Sequence, residues 1–188
     1  MKQLAALLFA LLIASCTSAP ERVATAGGDP MRPAGSYAMR NIPAPQKTIP
    51  LADYLIVDKT KRMLVAYSGG KPIRAYRGLQ FGDAPKGHKR FQGDERTPEG
   101  VYRIDWRNPQ SRFHLSLRIS YPNERDRAYA SQYGLSPGGD IFIHGQPNGL
   151  DYGRMSGDWT DGCIALSNEE IEELWQIVPN GTPIEIRP

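Results

Sequence analysis

The chain has little cysteine, with only Cys16 and Cys163 among its 188 residues. Two cysteines cannot build a disulfide-rich scaffold or a four-thiolate zinc site. An excess of one charge is also missing, because the net charge is only +3, which gives no reason to expect a nucleic-acid partner. The charged fraction of 23% argues against a polytopic membrane protein.

Motifs for cofactors are absent as well. The sequence contains no Walker-type phosphate loop, no dinucleotide fingerprint and no zinc-like spacing of His, Cys and carboxylate residues. We therefore expect no cofactor and no metal. What the chain does contain is 19 glycines and 16 prolines, which favour turns and make a helical bundle a poor expectation.

The first sixteen residues have the features of an export signal. Lys2 precedes an apolar run over 4–13, which is too short to cross a bilayer as a helix. The segment Ile13-Ala14-Ser15-Cys16 resembles the lipobox of bacterial lipoproteins, which implies cleavage after residue 15 and acylation of Cys16. In the alternative, an ordinary signal peptide is cut nearby and Cys16 is incidental.

The predicted signal peptide, 1–15, is followed by a linker and one domain. Residues 16–50 are dominated by Pro, Gly, Ala and Ser without an apolar period, which predicts a flexible, lipid-anchored linker. The folded domain is predicted over 51–188. We expect an exported protein anchored to a membrane that faces the periplasm or cell wall. Thr17 after the cysteine favours the outer membrane in a bacterium with two membranes.

Alternating apolar residues predict a mainly β fold, a β-rich α+β domain with one or two helices. Seven strands are predicted: Tyr54–Val57, Met63–Tyr67, Pro72–Gly78, Gly100–Trp106, Leu115–Tyr121, Ile141–Ile143 and Thr182–Arg187. Asn123 is a possible N-cap for a helix that ends near Gln132. Ser167 and Glu170 have capping-box spacing and predict a second helix to about Val178.

Two residues suggest nucleophilic chemistry. Gly162 before Cys163 suits a tight turn that exposes the sulfur, and His144 closes an apolar strand. A neighbouring imidazole can take the proton of a thiol, so we expect a thiol reagent to modify Cys163 quickly near neutral pH. Residue types alone leave a structural role open, because a lone cysteine is commonly a small buried hydrophobe.

Together, the segments Ile141–Gly145 and Thr160–Cys163 resemble the L,D-transpeptidase catalytic domain of bacterial cell-wall enzymes. Two earlier segments are similar to that family's opening hairpin and Thr-Pro-x-Gly-x-Tyr turn, Tyr54–Leu64 and Arg96–Tyr102. Ser167–Trp175 resembles a helix in the branch grouped with murein transpeptidase-like amidases. The resemblance covers 51–188 and implies a β-sandwich or mixed sheet.

The resemblance implies roles for particular residues. Cys163 would be the nucleophile, and His144 its base and later the proton donor. The carbonyl of Gly145 would orient the histidine, and the N–H groups of Gly162 and Cys163 would form the oxyanion hole. Two positions depart from the family pattern, since Asp161 replaces the usual second histidine and Ala165 replaces an asparagine or arginine.

The resemblance also implies a substrate, the stem peptides of peptidoglycan, which acylate the cysteine as a thioester. An amine acceptor, which includes a protein, gives transpeptidation, whereas water gives carboxypeptidase or amidase action. Another possibility is a wall-binding lipoprotein that has kept the fold without the chemistry. Candidate substrate-binding residues, chosen by position or positive charge, are Trp159, Thr160, Asp161, Arg154 and Arg96.

Overall fold

The computed structural model describes residues 49–150 and 153–188. The predicted signal peptide, Cys16 and nearly all of the predicted linker lie outside the described residues. Within the described ranges, neither helix has the length and apolar character needed to cross a membrane.

Eight strands and two helices make up the described part of the chain. The strands are β1 (Tyr54–Asp58), β2 (Met63–Ser68), β3 (Lys71–Arg77), β4 (Gly100–Ser111), β5 (His114–Ile119), β6 (Phe142–His144), β7 (Ile164–Ala165) and β8 (Pro183–Arg187). The helices are α1 (Glu124–Gln132) and α2 (Asn168–Ile177). The predicted mainly β fold class is confirmed.

The strands form one mixed sheet in the order β3-β2-β1-β8-β4-β5-β6-β7. The pairs β1–β8 and β6–β7 are parallel and the other neighbours are antiparallel. The long strand β4 serves two partners: Gly100–Arg103 pairs with β8, and Ile104–Ser111 pairs with β5. The sheet is therefore continuous from the first hairpin to the strand that ends at His144.

The core follows from the alternation in the sequence. In β1, Leu55 and Val57 are fully buried and their neighbours are half-buried, as expected for a strand with one face toward a core. Helix α2 buries Ile171, Leu174 and Ile177 against the sheet. Each such side chain contributes about 1.5–3 kcal/mol when it leaves water, so this face holds α2 on the sheet.

Both helices begin with the predicted caps. The Asn123 side chain accepts the N–H of Asp126, and the Asp126 side chain accepts the N–H of Asn123. Ser167 and Glu170 form the same reciprocal pair at α2, which satisfies N–H groups that lack partners within the helix. The predicted capping box at α2 is confirmed.

Two parts of the sheet differ from the prediction. Strand β4 continues past Trp106 to Ser111, with register shifts against β5 that the sequence pattern does not predict. Strand β7 was not predicted, because two residues carry no periodicity. Ala165 of β7 exchanges backbone hydrogen bonds with Gln80, at 2.8 and 3.1 Å, and this contact fixes the segment next to Cys163.

Candidate active site

One cleft of about 700 Å³ contains both Cys163 and His144. Trp159, Thr160 and Asp161 also line it. A larger hollow of about 920 Å³ lies beside α1 and the end of β8, and neither residue lines it. Because the chemistry requires the thiol and the imidazole in one place, the smaller cleft is the candidate active site.

The parallel pairing of β6 and β7 brings the two residues together. Ile143 pairs with Ile164, and His144 pairs with Ala165. One step back in this register, Cys163 lies next to Phe142, whose N–H approaches the sulfur at 3.4 Å. Alternate residues of a strand share a face, so Cys163 and His144 lie on the same side of the sheet.

His144 is held in one orientation. Its Nδ1 lies 2.7 Å from the carbonyl oxygen of Gly145, which is the contact that the family resemblance predicts. A carbonyl oxygen only accepts hydrogen bonds, so Nδ1 donates. In the neutral ring the proton is therefore on Nδ1, and Nε2 keeps its lone pair as a base.

Aromatic side chains enclose the imidazole. Phe113 stacks on it with ring centroids 4.6 Å apart, and the ring of Trp159 lies 5.5 Å away. Only 3% of His144 is exposed. Burial lowers the pKa of His144 from its ordinary value to about 4, although the hydrogen bond to Gly145 acts in the opposite direction. The imidazole is thus uncharged at neutral pH.

Gly145 is a glycine for reasons of packing. A Cβ at this position would lie 2.6 Å from Oδ1 of Asn168 and 3.0 Å from side-chain atoms of His114 and Ile171. Asn168 Oδ1 also accepts the N–H of Gln146 at 2.8 Å. The start of α2 therefore packs directly on the backbone that orients His144.

The Cys163 thiol is half-buried and not paired with another cysteine in the described residues. Its S–H donates to the carbonyl oxygen of Asp140 at 3.4 Å. Burial raises the pKa of the Cys163 thiol to about 11, and the charges of Asp161 and Asp140 act in the same direction. The Phe142 N–H and the positive charge of Lys89 act against this rise.

The resting pair is therefore a neutral thiol beside a neutral imidazole. A pKa of the Cys163 thiol raised to about 11 predicts a slow reaction with thiol reagents at neutral pH, opposite to the expectation from the sequence motif. A low dielectric disfavours both charged forms, and within the described residues no hydrogen bond joins the thiol to His144. The imidazole can instead take the proton while the sulfur attacks, as a general base.

We expect alkylation of Cys163 by iodoacetamide to be slow at pH 7. The thiolate is the reactive form, so the rate rises with pH until the pH passes about 11, the pKa of Cys163. At pH 7 we expect a rate at least about tenfold below that of a simple cysteine peptide. Pseudo-first-order rates from intact mass, on a Cys16→Ser protein, measure it. A rate that reaches a plateau below pH 8 would mean that the thiol is already ionised there, which would contradict a neutral thiol beside a neutral imidazole.

The turn before Cys163 is closed by two threonines. Thr160 Oγ1 donates to the carbonyl oxygen of Cys163 at 2.8 Å and accepts the N–H of Gly162 at 3.3 Å. Thr97 Oγ1 donates to the Gly162 carbonyl oxygen at 2.9 Å. Gly162 has φ +116°, and a Cβ there would lie 2.5 Å from the carbonyl oxygen of Arg96. Both the positive φ and the close approach of the Arg96 carbonyl require glycine at position 162.

The two N–H groups predicted for an oxyanion hole differ in availability. The Gly162 N–H is already engaged with Thr160. No acceptor for the Cys163 N–H appears among the hydrogen bonds of the described residues, so this donor is available to a substrate oxygen.

The predicted substrate-binding residues divide into two groups. Trp159, Thr160 and Asp161 line the cleft, whereas Arg154 and Arg96 do not. The Arg154 guanidinium pairs with Glu170 and donates to the carbonyl oxygen of Gly78. In this geometry Arg154 does not face the cleft where a substrate would bind, because the Glu170 carboxylate of α2 already binds its guanidinium. The Arg96 side chain lies beside Gly87, outside the cleft.

The segment that follows His144 in the chain is anchored at two points. Buried Gln146 donates to Gln80 Oε1 at 3.1 Å and accepts the N–H of Met155 at 2.8 Å. Arg62 forms a two-fold ion pair with Asp158 at 2.7 Å on each oxygen. These contacts fix the backbone before Trp159, whose ring covers His144.

Several cleft residues were missed by the sequence analysis. Phe113, Asp140 and Lys89 all line the cleft, but none lies in the two motif segments. Lys89 belongs to a long polar loop without periodicity, so its burial could not be predicted. The one local signal was Thr97, which stands in the Thr-Pro segment and proves to clamp Gly162.

Comparison with known proteins gives three findings. The family model of the L,D-transpeptidase catalytic domain (YkuD) matches residues 52–186. The Escherichia coli K12 protein named "Putative L,D-transpeptidase YafK" is 34% identical over 95 residues, 49% of this chain and 32% of that protein. The crystal structure of the helical cell shape determining protein Pgp2 from Campylobacter jejuni has a TM-score of 0.57 and 27% identity, covering 72% of this chain and 47% of that chain. The chain thus spans about a third of the curated relatives that it matches.

Proposed function

The chain belongs to the L,D-transpeptidase catalytic domain family, and we propose that it is a cysteine acyltransferase that modifies peptidoglycan. The family acts on peptidoglycan stem peptides. In this proposal the acyl donor is a stem peptide, and Cys163 carries the acyl group as a thioester. The acceptor is an amine of a second stem or of a protein.

One observation carries the proposal. His144 and Cys163 line the same cleft, and the Gly145 carbonyl occupies Nδ1 of the imidazole at 2.7 Å. The free lone pair on Nε2 is therefore available to the thiol. A nucleophile, a base and a group that orients the base are the parts that acyl transfer through a thioester requires.

The reaction follows from these roles. The sulfur attacks the carbonyl carbon at the L-centre of the diamino acid, while Nε2 of His144 takes the S–H proton. The oxygen gains negative charge, and the Cys163 N–H stabilises it. The C–N bond then breaks, and His144 returns the proton to the leaving amine of the terminal D-alanine. An incoming amine attacks the thioester, and its proton passes through His144 to the sulfur.

Two alternatives use the same cleft. If water reaches the thioester first, the protein is an L,D-carboxypeptidase or amidase. A non-catalytic wall-binding protein is favoured by one feature, the charge of Asp161, which raises the pKa of Cys163 in addition to the effect of burial. Product analysis separates these possibilities, because each one leaves a different set of masses.

The test is mass analysis of muropeptides after the protein is incubated with sacculi that carry tetrapeptide stems. New crosslinked species support transpeptidation, whereas tripeptide stems without new crosslinks, or release of a protein fragment, support hydrolysis, because D-alanine leaves the donor in both reactions. A Cys163→Ser protein, incubated in parallel, is expected to leave the sacculi unchanged. Products that are identical for the two proteins would overturn the cysteine mechanism, and binding without any product would support the non-catalytic alternative.

We also propose that Cys16 is acylated and that the domain works on a membrane anchor. The support is the sequence Ile13-Ala14-Ser15-Cys16 after a short apolar run, and two or more acyl chains hold a domain firmly on a membrane. In cells fed an alkyne fatty acid, we expect label on the mature protein and none on Cys16→Ser. A mature wild-type protein without label contradicts the anchor.

A further inference from the structure

A buried ammonium group lies in the wall of the cleft. Lys89 is only 3% exposed, and it lines the same cleft as His144 and Cys163. Lysine is almost never buried without a partner, because a charge that leaves water loses much hydration free energy. The partners of this lysine therefore show whether its charge is already used within the protein.

Two acceptors contact the ammonium group. Nζ of Lys89 donates to the carbonyl oxygen of Phe91 at 3.1 Å and to Oδ1 of Asp94 at 2.9 Å. A lysine ammonium has three donors. The third has no acceptor among the described residues, so Lys89 can donate one further charge-assisted hydrogen bond.

Asp94 is shared among several donors. Besides the lysine, its side chain accepts the N–H groups of Arg90 at 2.6 Å, Phe91 at 3.0 Å and Arg96 at 3.2 Å. Its negative charge is spread over these donors and does not serve Lys89 alone. The loop is also folded around this carboxylate, so the ammonium is in position before a ligand arrives, which lowers the cost of binding.

The position of Lys89 differs from those of the other charged residues of the cleft. Arg112, Asp140 and Asp161 line the cleft but are exposed to solvent, and Glu95 lines it half-buried. Among the described lining residues, Lys89 is the one buried cation. Its charge also acts on the reacting centre, since it opposes the rise in the pKa of the Cys163 thiol. A negative group near the scissile bond would therefore meet a desolvated ammonium, where a charged hydrogen bond is strong.

We propose that Lys89 binds a carboxylate of the acyl donor and so selects donors that carry one beside the reacting carbonyl. The identity of the donor as a stem peptide rests on the proposed function. Such a peptide has a carboxylate on its terminal D-alanine and another on the side chain of its diamino acid. Both have the same chemistry, so the experiment must distinguish them.

Binding to an inactive protein tests this assignment. In a Cys163→Ala background, calorimetry measures the Kd of three tetrapeptides: one unmodified, one amidated at the C-terminus, and one amidated on the diamino acid side chain. We expect one of the two amidations to weaken binding by about tenfold or more. A second substitution, Lys89→Met, removes the charge and keeps most of the side-chain volume. In the Cys163→Ala, Lys89→Met protein, we expect the Kd of the unmodified peptide and the Kd of the amidated peptide that bound more weakly before to lie within about twofold of each other.

Two further variants serve as controls. Lys86→Met removes an exposed lysine from the same loop and is expected to keep the preference for the carboxylate. Lys89→Arg keeps the charge and should keep a measurable preference, which remains informative if the methionine variant does not fold. Thermal melting of each variant shows whether the domain is intact.

Three results would overturn the proposal. One is that the Cys163→Ala protein with Lys89 intact binds all three peptides equally. Failure of this protein to bind any of the three peptides counts as the same result. Another is a preference for the carboxylate that persists in Lys89→Met. The last is an equal loss for every peptide in that variant, which indicates only a structural role for the loop. Turnover by the wild-type protein is measured separately. If the protein prefers the carboxylate peptide but turns over no peptide, the proposed function is contradicted and the role of Lys89 in binding the carboxylate stands.

Discussion

We expect Cys163→Ala to lower turnover of stem peptides by at least about 10⁴-fold, because removal of a nucleophile ends covalent catalysis and leaves only the effects of binding. We expect the fold to stay intact, since the hydrogen bonds of the sulfur among the described residues are two weak ones, with Phe142 and Asp140 at 3.4 Å each. Release of D-alanine, followed by mass spectrometry, measures the rate. Intact-protein mass spectra should show an acyl adduct on wild type and none on the variant.

The second cysteine provides a matched control. Cys16 lies outside the domain matched by the family model, 52–186, so Cys16→Ala is expected to keep full activity in solution. Thermal melting should give the same transition for all three proteins to within a few degrees. If Cys163→Ala keeps more than about a tenth of wild-type turnover, the thioester mechanism is wrong.

Gly82→Ala is expected to destabilise the domain by at least about 3 kcal/mol, because excess volume in a packed interior forces the backbone apart. A Cβ at Gly82 would lie 2.2 Å from the carbonyl oxygen of Glu95, 2.6 Å from that of Thr160 and 3.0 Å from the nitrogen of Gly162. All three are backbone atoms, which cannot swing away. Gly82 also forms an isolated β-bridge with Thr160, so the turn before Cys163 must move and turnover should fall too.

Urea denaturation measures this loss as a lower midpoint at an unchanged slope. Gly139→Ala is the control, since the nearest atom to its Cβ is 3.9 Å away, and we expect a change of less than about 1 kcal/mol. A loss below about 1 kcal/mol for Gly82→Ala would mean that the three segments are not packed as closely as described.

The elements predicted from sequence are those that local chemistry determines. Alternation identified β1, and the Ser167–Glu170 capping box identified α2. The family was predicted from the His-Gly and Thr-Asp-Gly-Cys segments, and the family match confirms it. What was missed depends on contacts between distant segments. Strand β7 exists because it pairs with β6 and forms a bridge to Gln80, and no local pattern reports contacts between such distant segments.

The candidate site shows the same division. His144 and Cys163 were found because a motif specifies them, whereas Lys89 was missed because its burial depends on how a polar loop folds around Asp94. Arg154 was chosen for its charge. Charge alone does not decide whether an arginine meets a ligand, because a nearby carboxylate such as Glu170 binds it first.

The partner that orients His144 is a main-chain carbonyl, that of Gly145, and this has a consequence for robustness. A carboxylate in the same position would titrate and would be lost to a single amino-acid exchange. A peptide oxygen has no protonation state in this range and remains under any substitution. Tautomer control is therefore insensitive both to acidification and to mutation of side chains, and it fails only if the chain itself is displaced at this point.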